Sequence, residues 1–227
     1  CLMIIVIGGS SGIGKKITDE LKKDGLEVIT ISRTKIEEDL NHFACDVSNF
    51  KQLKETYKQI KQKNIVITGI INCAGIASMN LALTTPPEIT EKLIRTNLIG
   101  TIFCNQIFSP LLIRNKFGRI INFSTIAVKI GLEGESVYVA SKAGVEAFSR
   151  VLAKELAPFN ITVNCIAPGP IRTNLLKGIS DKQISDITSH QIIKKEMQTI
   201  DSVKIVKLLL NEDGSNITGQ VLHVGGY

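Results

Sequence analysis

Short apolar runs rich in Val and Ile alternate along this chain with longer stretches in which apolar residues recur at helical spacing. Leu2 to Ile7 is an unbroken, β-branched run, the mark of a strand covered on both faces in a parallel sheet. Glu27 to Ser32, His42 to Val47, Ile65 to Ile71, Gly118 to Thr125, Ile161 to Ala167 and Gly219 to Val224 read as further strands. Between them, helices are expected after Gly14 (Ile17 and Leu21 inward; Lys15, Lys16 and Lys22 outward) and over Phe50 to Lys63. Others are expected over about Pro87 to Arg114, Ser136 to Pro158 and Ser202 to Leu210. Strand–helix alternation of this kind predicts an α/β protein: one doubly wound parallel sheet of about seven strands, helices on both faces, and one domain over 1–227. His42 comes only nine residues after Arg33, less than a parallel crossover usually needs, so that edge of the sheet is expected to be trimmed. Residues from about 174 to 199 are polar and weakly periodic, and are expected to form a lid.

The first strand runs straight into Gly8-Gly9-Ser10-Ser11-Gly12-Ile13-Gly14 and then a helix. Strand, glycine turn and helix in that order is the context of a dinucleotide-binding loop: glycines let the backbone approach a pyrophosphate, and the helix start offers free N–H groups. The second strand ends in Ser32-Arg33, where such folds meet the adenosine ribose. An arginine there suits a 2′-phosphate, as in NADP(H); the alternative is an ordinary surface arginine. Asp46, at the next strand end, could hold an adenine amino group or cap the helix at Phe50. Asn72-Cys73-Ala74-Gly75 closes the fourth strand with small residues that permit close approach to a ligand.

Tyr138 and Lys142 fall one helical turn apart, on one face of the Ser136 helix. A phenol beside an ammonium is an acid–base device, since a positive neighbour favours the phenolate and lowers its pKa. The pair alone is a weak signal, because the same spacing occurs on solvated helix faces. Asn122, Ser124 and Thr125 stand at the carboxyl end of the fifth strand, where ligand sites of open α/β sheets lie. Asn97 is a poor helix former placed in mid-helix.

Composition narrows the reading. The chain is 44% hydrophobic, which excludes a disordered or fibrous protein, and its net charge of +6 comes from lysines spread along helices rather than clustered for nucleic acid. No apolar run reaches membrane-spanning length and no signal-peptide pattern precedes the first strand, so a cytoplasmic protein without a membrane partner is expected. Five scattered cysteines suggest small core residues in a reducing compartment. His42, His190 and His223 lack ligand-type spacing, and no metal is expected.

With these residues in view, the chain resembles the short-chain dehydrogenase/reductase family over nearly its whole length. The matching elements occur in family order: Gly8-x3-Gly12-x-Gly14, Asp46-Val47, Asn72-x-Ala74-Gly75, Asn97, Ser124/Thr125, Tyr138-x3-Lys142 and Pro168-Gly169-x3-Thr173. Within the family it looks most like 3-oxoacyl-[acyl-carrier-protein] reductases and related carbonyl reductases. The resemblance implies a Rossmann fold and NADP(H), bound by Gly8, Ser10, Ser11, Gly12, Ile13, Gly14, Ser32, Arg33, Asp46, Val47, Asn72, Ala74, Gly75, Tyr138 and Lys142. Pro168, Gly169, Ile171 and Thr173 would line the nicotinamide end. It further implies that Tyr138 is the general acid in reduction of a ketone, such as a 3-oxoacyl thioester. Lys142 would hold the ribose and lower the Tyr138 pKa, and Asn97 would serve a water relay. The family serine position, thirteen residues before the tyrosine, is Thr125 here, with Ser124 beside it; Thr125 is the first choice for the carbonyl contact. Ile7 and Cys73 also depart from the family pattern, in ways that remove supporting hydrogen bonds. Positions that dock the acyl carrier protein in the family read Lys116 and Phe159, only one of them basic, which weakens the case for that partner. By resemblance the long helices pair across subunits in a homodimer or homotetramer. Two other readings are carried: a catalytically idle NADP(H)-binding regulatory protein, and an alcohol or sugar dehydrogenase of the same family.

Overall fold

The computed structural model describes residues 2–36, 39–173 and 180–227. Its seven strands are β1 (Leu2–Ile7), β2 (Glu27–Ser32), β3 (His42–Ala44), β4 (Val66–Asn72), β5 (Gly118–Phe123), β6 (Ile161–Pro168) and β7 (Val221–Val224). They form one sheet in the order β3-β2-β1-β4-β5-β6-β7, every pair parallel. The chain winds outward from β1 to β3, returns across β1, and winds outward again from β4 to β7. This reversal opens a crevice above the carboxyl ends of β1 and β4.

Alternation along β1 sorts its side chains into two cores. Met3, Ile5 and Ile7 join Leu53 and Ile60 of α2 (Phe50–Gln62) and Cys104, Phe108 and Leu112 of α4 (Gly100–Asn115). Ala153 and Leu156 of α6 (Ser136–Leu156) complete this layer. Ile4 and Val6 point the other way, to Ile17 and Leu21 of α1 (Gly12–Lys23) and to Val203, Val206 and Leu209 of α8 (Thr199–Leu210). Burial on both faces is what requires the continuous apolar runs read in the sequence.

Several boundaries differ from expectation for local reasons. β3 stops at Ala44, short of Val47, because Asp46 turns the chain by accepting from both the N–H and the hydroxyl of Ser48 at 2.8 Å. Asn49, not Asp46, caps α2, its side chain accepting from Lys51 and Gln52 N–H. β4 ends one residue later than expected, at Asn72, and β7 starts at Val221 rather than Gly219. The expected single helix from Pro87 comprises α3 (Pro87–Leu93), a π-helical turn over Ile94–Ile99 that contains Asn97, and α4. This stretch, Pro87–Asn115, is long and apolar enough to cross a membrane by length and composition, yet 56% of its most apolar window is buried in the protein, as in a core helix. α5 (Ala127–Ile130) is a short helix after β5.

The lid segment is more ordered than its composition suggested. Its part over 174–179 lies outside the described residues; the rest contains α7 (Asp181–Ser189), closed at its start by a capping box between Ser180 and Gln183. Arg172 ties the segment down, meeting Asp181 at 2.8 Å and Glu196 through two nitrogens at 2.8 and 2.9 Å.

Core packing gives the first prediction. Phe108 is fully buried with its ring 6.4 Å from Tyr57, so Phe108→Ala should lower unfolding free energy by about 3–5 kcal/mol in urea titrations. Leu83→Ala, at a side chain 99% exposed, should change it by under about 0.5 kcal/mol.

Candidate active site

The crevice holds a cavity of about 410 Å³. One wall is the glycine turn. Gly8 has φ +82°, and a Cβ there would stand 2.7 Å from the Ala74 nitrogen; a Cβ on Gly14 would stand 2.3 Å from the Gly8 carbonyl oxygen. No side chain fits either position, so α1 can approach the ends of β1 and β4 closely. Ser11 leaves the start of α1 without a side-chain cap, and no acidic residue occupies the first turn. Free N–H groups and the positive end of the helix are thus available at Gly12, Ile13 and Gly14, which line the cavity.

Ser32, Arg33, Asp46 and Val47 line the far end. Ser32 is buried and donates its hydroxyl to the Thr34 carbonyl at 3.2 Å, while Arg33 is exposed. A guanidinium at the end of β2, in line with the turn, suits a phosphate beyond the ribose.

At the opposite end, β5 delivers Ser124 and Thr125 and α6 delivers Tyr138 and Lys142. The two hydroxyl candidates separate in space. Ser124 donates to the Glu146 carboxylate at 2.6 Å within the core, whereas the Thr125 hydroxyl stands beside the Tyr138 phenol. Lys142, buried, donates to the Phe123 carbonyl at 2.8 Å, and burial depresses its ammonium to about 8. Expectation and structure part here. Burial raises the Tyr138 phenol well above its ordinary value, the Glu135 charge raises it further, and only the neighbouring Thr125 hydroxyl lowers it. Lys142 does not lower it in this arrangement: burial depresses the ammonium below the raised phenol, so it has lost its charge where the phenol titrates.

Asn97 lies beneath the cavity, fully buried. Its amide accepts from Ile76 N–H at 2.8 Å, and donates to the Ile76 carbonyl at 2.9 Å and the Ser141 hydroxyl at 3.0 Å. The π-turn accounts for an asparagine in mid-helix: the extra residue aims the amide at the loop after β4. Gly75 fills the space between, where a Cβ would press on Asn97 Oδ1 and Lys142 Nζ at 3.3 Å each. Asn72 also lies below the cavity, donating to Asn122 at 2.6 Å, and so acts on the site through β5.

All other residues expected at the site line the one cavity: Gly8, Ser10, Ser11, Gly12, Ile13 and Gly14; Ser32, Arg33, Asp46 and Val47; Ala74 and Gly75; and Pro168, Gly169, Ile171 and Thr173 beside Tyr138, Lys142, Ser124 and Thr125. Sequence reasoning missed Ile76, Ile126, Leu132, Glu135 and Ile187, which line it too. Glu135 had one available signal, an acidic residue three positions before Tyr138 at a helix start.

Comparison with known proteins agrees with this geometry. Residues 8–227 match the family model described as Enoyl-(Acyl carrier protein) reductase. The 3-oxoacyl-[acyl-carrier-protein] reductase FabG of Haemophilus influenzae is 33% identical, over 98% of this chain and 96% of that protein. FabG of Buchnera aphidicola is 32% identical, over 98% and 95%. Among solved structures, the ligand-free aldohexose dehydrogenase AldT of Thermoplasma acidophilum superposes with TM-score 0.89 at 27% identity, covering 99% of this chain and 92% of that one. ElxO with NADP bound superposes with TM-score 0.87 at 28% identity, covering 98% and 96%. The fold and the site define an oxidoreductase of the nicotinamide-dependent kind. The chain belongs to the short-chain dehydrogenase/reductase family.

The Glu135 carboxyl is buried and burial pushes it up to about 7. Its folded value lies above the unfolded one, so folding is penalised once the unfolded chain ionises, and the penalty grows as pH rises from about 4.5 to about 7. Glu135→Gln should therefore raise stability above that window, by an amount on the order of 3 kcal/mol, and leave it nearly unchanged below. Chemical denaturation of both proteins across this pH range checks it.

Proposed function

We propose that this chain reduces a ketone to a secondary alcohol with NADPH, Tyr138 acting as general acid. The observation that carries the reading is the Thr125–Tyr138 hydroxyl pair in the same cavity as the glycine turn. Gly8 and Gly14, which no Cβ could replace, the uncapped start of α1 and the exposed Arg33 suit the pyrophosphate and 2′-phosphate of NADP(H), and ElxO, a structural relative, binds NADP. NADPH, when bound, supplies the hydride. Thr125 orients the substrate carbonyl, and Tyr138 gives its proton to the oxygen as negative charge develops there. A phenol kept neutral by burial is in the right form to donate. Lys142 holds the ribose hydroxyls, and Pro168, Gly169, Ile171 and Thr173 shield the nicotinamide end. Asn97 fixes the loop beside Lys142 through Ile76.

The curated relatives act on 3-oxoacyl groups, which makes an acetoacetyl thioester the first substrate to try.

NADPH oxidation should fall by about 100-fold or more in Tyr138→Phe and by about tenfold or more in Thr125→Ala. Ser124→Ala, which strips Glu146 of its hydroxyl donor, should act mainly on stability. Full activity in Tyr138→Phe would sink the mechanism. NADPH binding without any Tyr138-dependent turnover across a carbonyl panel would favour the idle binder.

Cofactor choice is tested separately. Arg33→Ala should cut the preference for NADPH over NADH by about tenfold or more, since a charge-assisted phosphate contact is lost. Unchanged ratios of kcat/KM would remove Arg33 from the 2′-phosphate site.

A further inference from the structure

Apolar side chains make up much of the cavity lining beyond the glycine turn, Ile76, Ala77, Ile126, Leu132 and Ile187 among them. Glu135 breaks that pattern. It lines the same cavity and is 7% exposed. It is the N-cap of α6, the residue just before Ser136, where an acidic side chain ordinarily accepts from the N–H groups of the first turn. It makes no such bond. Among the described residues no cation or donor answers the carboxyl, and burial alone governs its titration. Its charge is felt at the Tyr138 phenol, one turn along the helix, which puts it close to the reacting carbonyl. A carboxyl largely withdrawn from water is costly, and among the described residues no hydrogen bond to it offsets that cost.

We propose that Glu135 is a specificity-determining residue, accepting a hydrogen bond from a hydroxyl group that the substrate carries beside its reacting carbonyl. The inference deepens the ketone-reductase reading and rests on it. A hydroxyl fits better than an ammonium. It offers one proton, which one carboxyl satisfies, whereas an ammonium brings three and a full charge that this single carboxyl in a largely apolar lining would have to balance. An unsubstituted ketone of the same shape would leave the carboxyl without that partner, and the site would turn it over more slowly than the hydroxyketone.

Hydroxyacetone and butanone are a matched pair, differing by a hydroxyl in place of a methyl. With NADPH, the wild-type kcat/KM for hydroxyacetone should exceed that for butanone by about tenfold or more. Glu135→Leu should bring the two together by slowing hydroxyacetone and accelerating butanone. Glu135→Gln, whose amide oxygen still accepts, should keep part of the preference. Both variants should fold, since the Glu135 carboxyl has no hydrogen-bond partner among the described residues to lose. Equal rates in wild type, or an unchanged preference in Glu135→Leu, would overturn the assignment. If neither ketone is reduced, calorimetric binding of propanediol and sec-butanol to the NADP-loaded protein separates the two ideas. A diol preference that Glu135→Leu abolishes upholds the role of Glu135 while the reductase reading fails. Equal binding of the two alcohols overturns the assignment itself.

Discussion

Backbone can meet backbone at the carboxyl ends of β1 and β4 only because no side chain intervenes. Gly14 lies against the Gly8 carbonyl, and Gly8 lies against the peptide joining Cys73 and Ala74. This contact draws the start of α1 down onto two neighbouring strands at the point where the winding of the sheet reverses. The crevice, its array of free N–H groups and the course of the loop after β4 all follow from it. An added methyl at Gly14 would lift the helix, and the whole dinucleotide end of the site would shift with it.

Beneath the crevice, polar side chains lock the layers that deliver the reacting groups. Asn122 on β5 accepts from Asn72 on β4 and from Asn105 on α4, and donates to Ser149 on α6 at 2.8 Å. Such a buried network is directional where apolar packing is not, so it fixes the relative heights of three elements that each contribute to the site. Asn97 does the same for the loop at Ile76. The positions of Thr125, Tyr138 and Lys142 are therefore consequences of core hydrogen bonding as much as of loop conformation.

Much of this was legible in the sequence, and the reasons differ by element. Strands buried on both faces announce themselves as apolar runs, so β1, β2, β5 and β6 could be located to within two residues at either end. The glycine spacing and the Tyr138/Lys142 pair are local patterns whose partners lie within a few residues, and they too could be read directly. The π-turn at Asn97 was visible only as an oddity, because the loop it serves is remote in sequence. The true cap of α2 was obscured by two candidates of equal chemistry, Asp46 and Asn49. The electrostatics of Tyr138 and the direction of the Glu135 side chain were out of reach, since both depend on which groups tertiary packing removes from water.

Glu135 also illustrates how a fold divides its obligations. Tyr138, Thr125 and the glycine turn sit against close neighbours, so changes there disturb structure and site together. The Glu135 carboxyl has no hydrogen-bond partner among the described residues, and it is a local debit at the edge of the cavity. Selection for robustness alone would remove it at the first opportunity. Any effort to harden this protein against heat would converge on that position early, and would yield a sturdier enzyme that no longer tells its ligands apart.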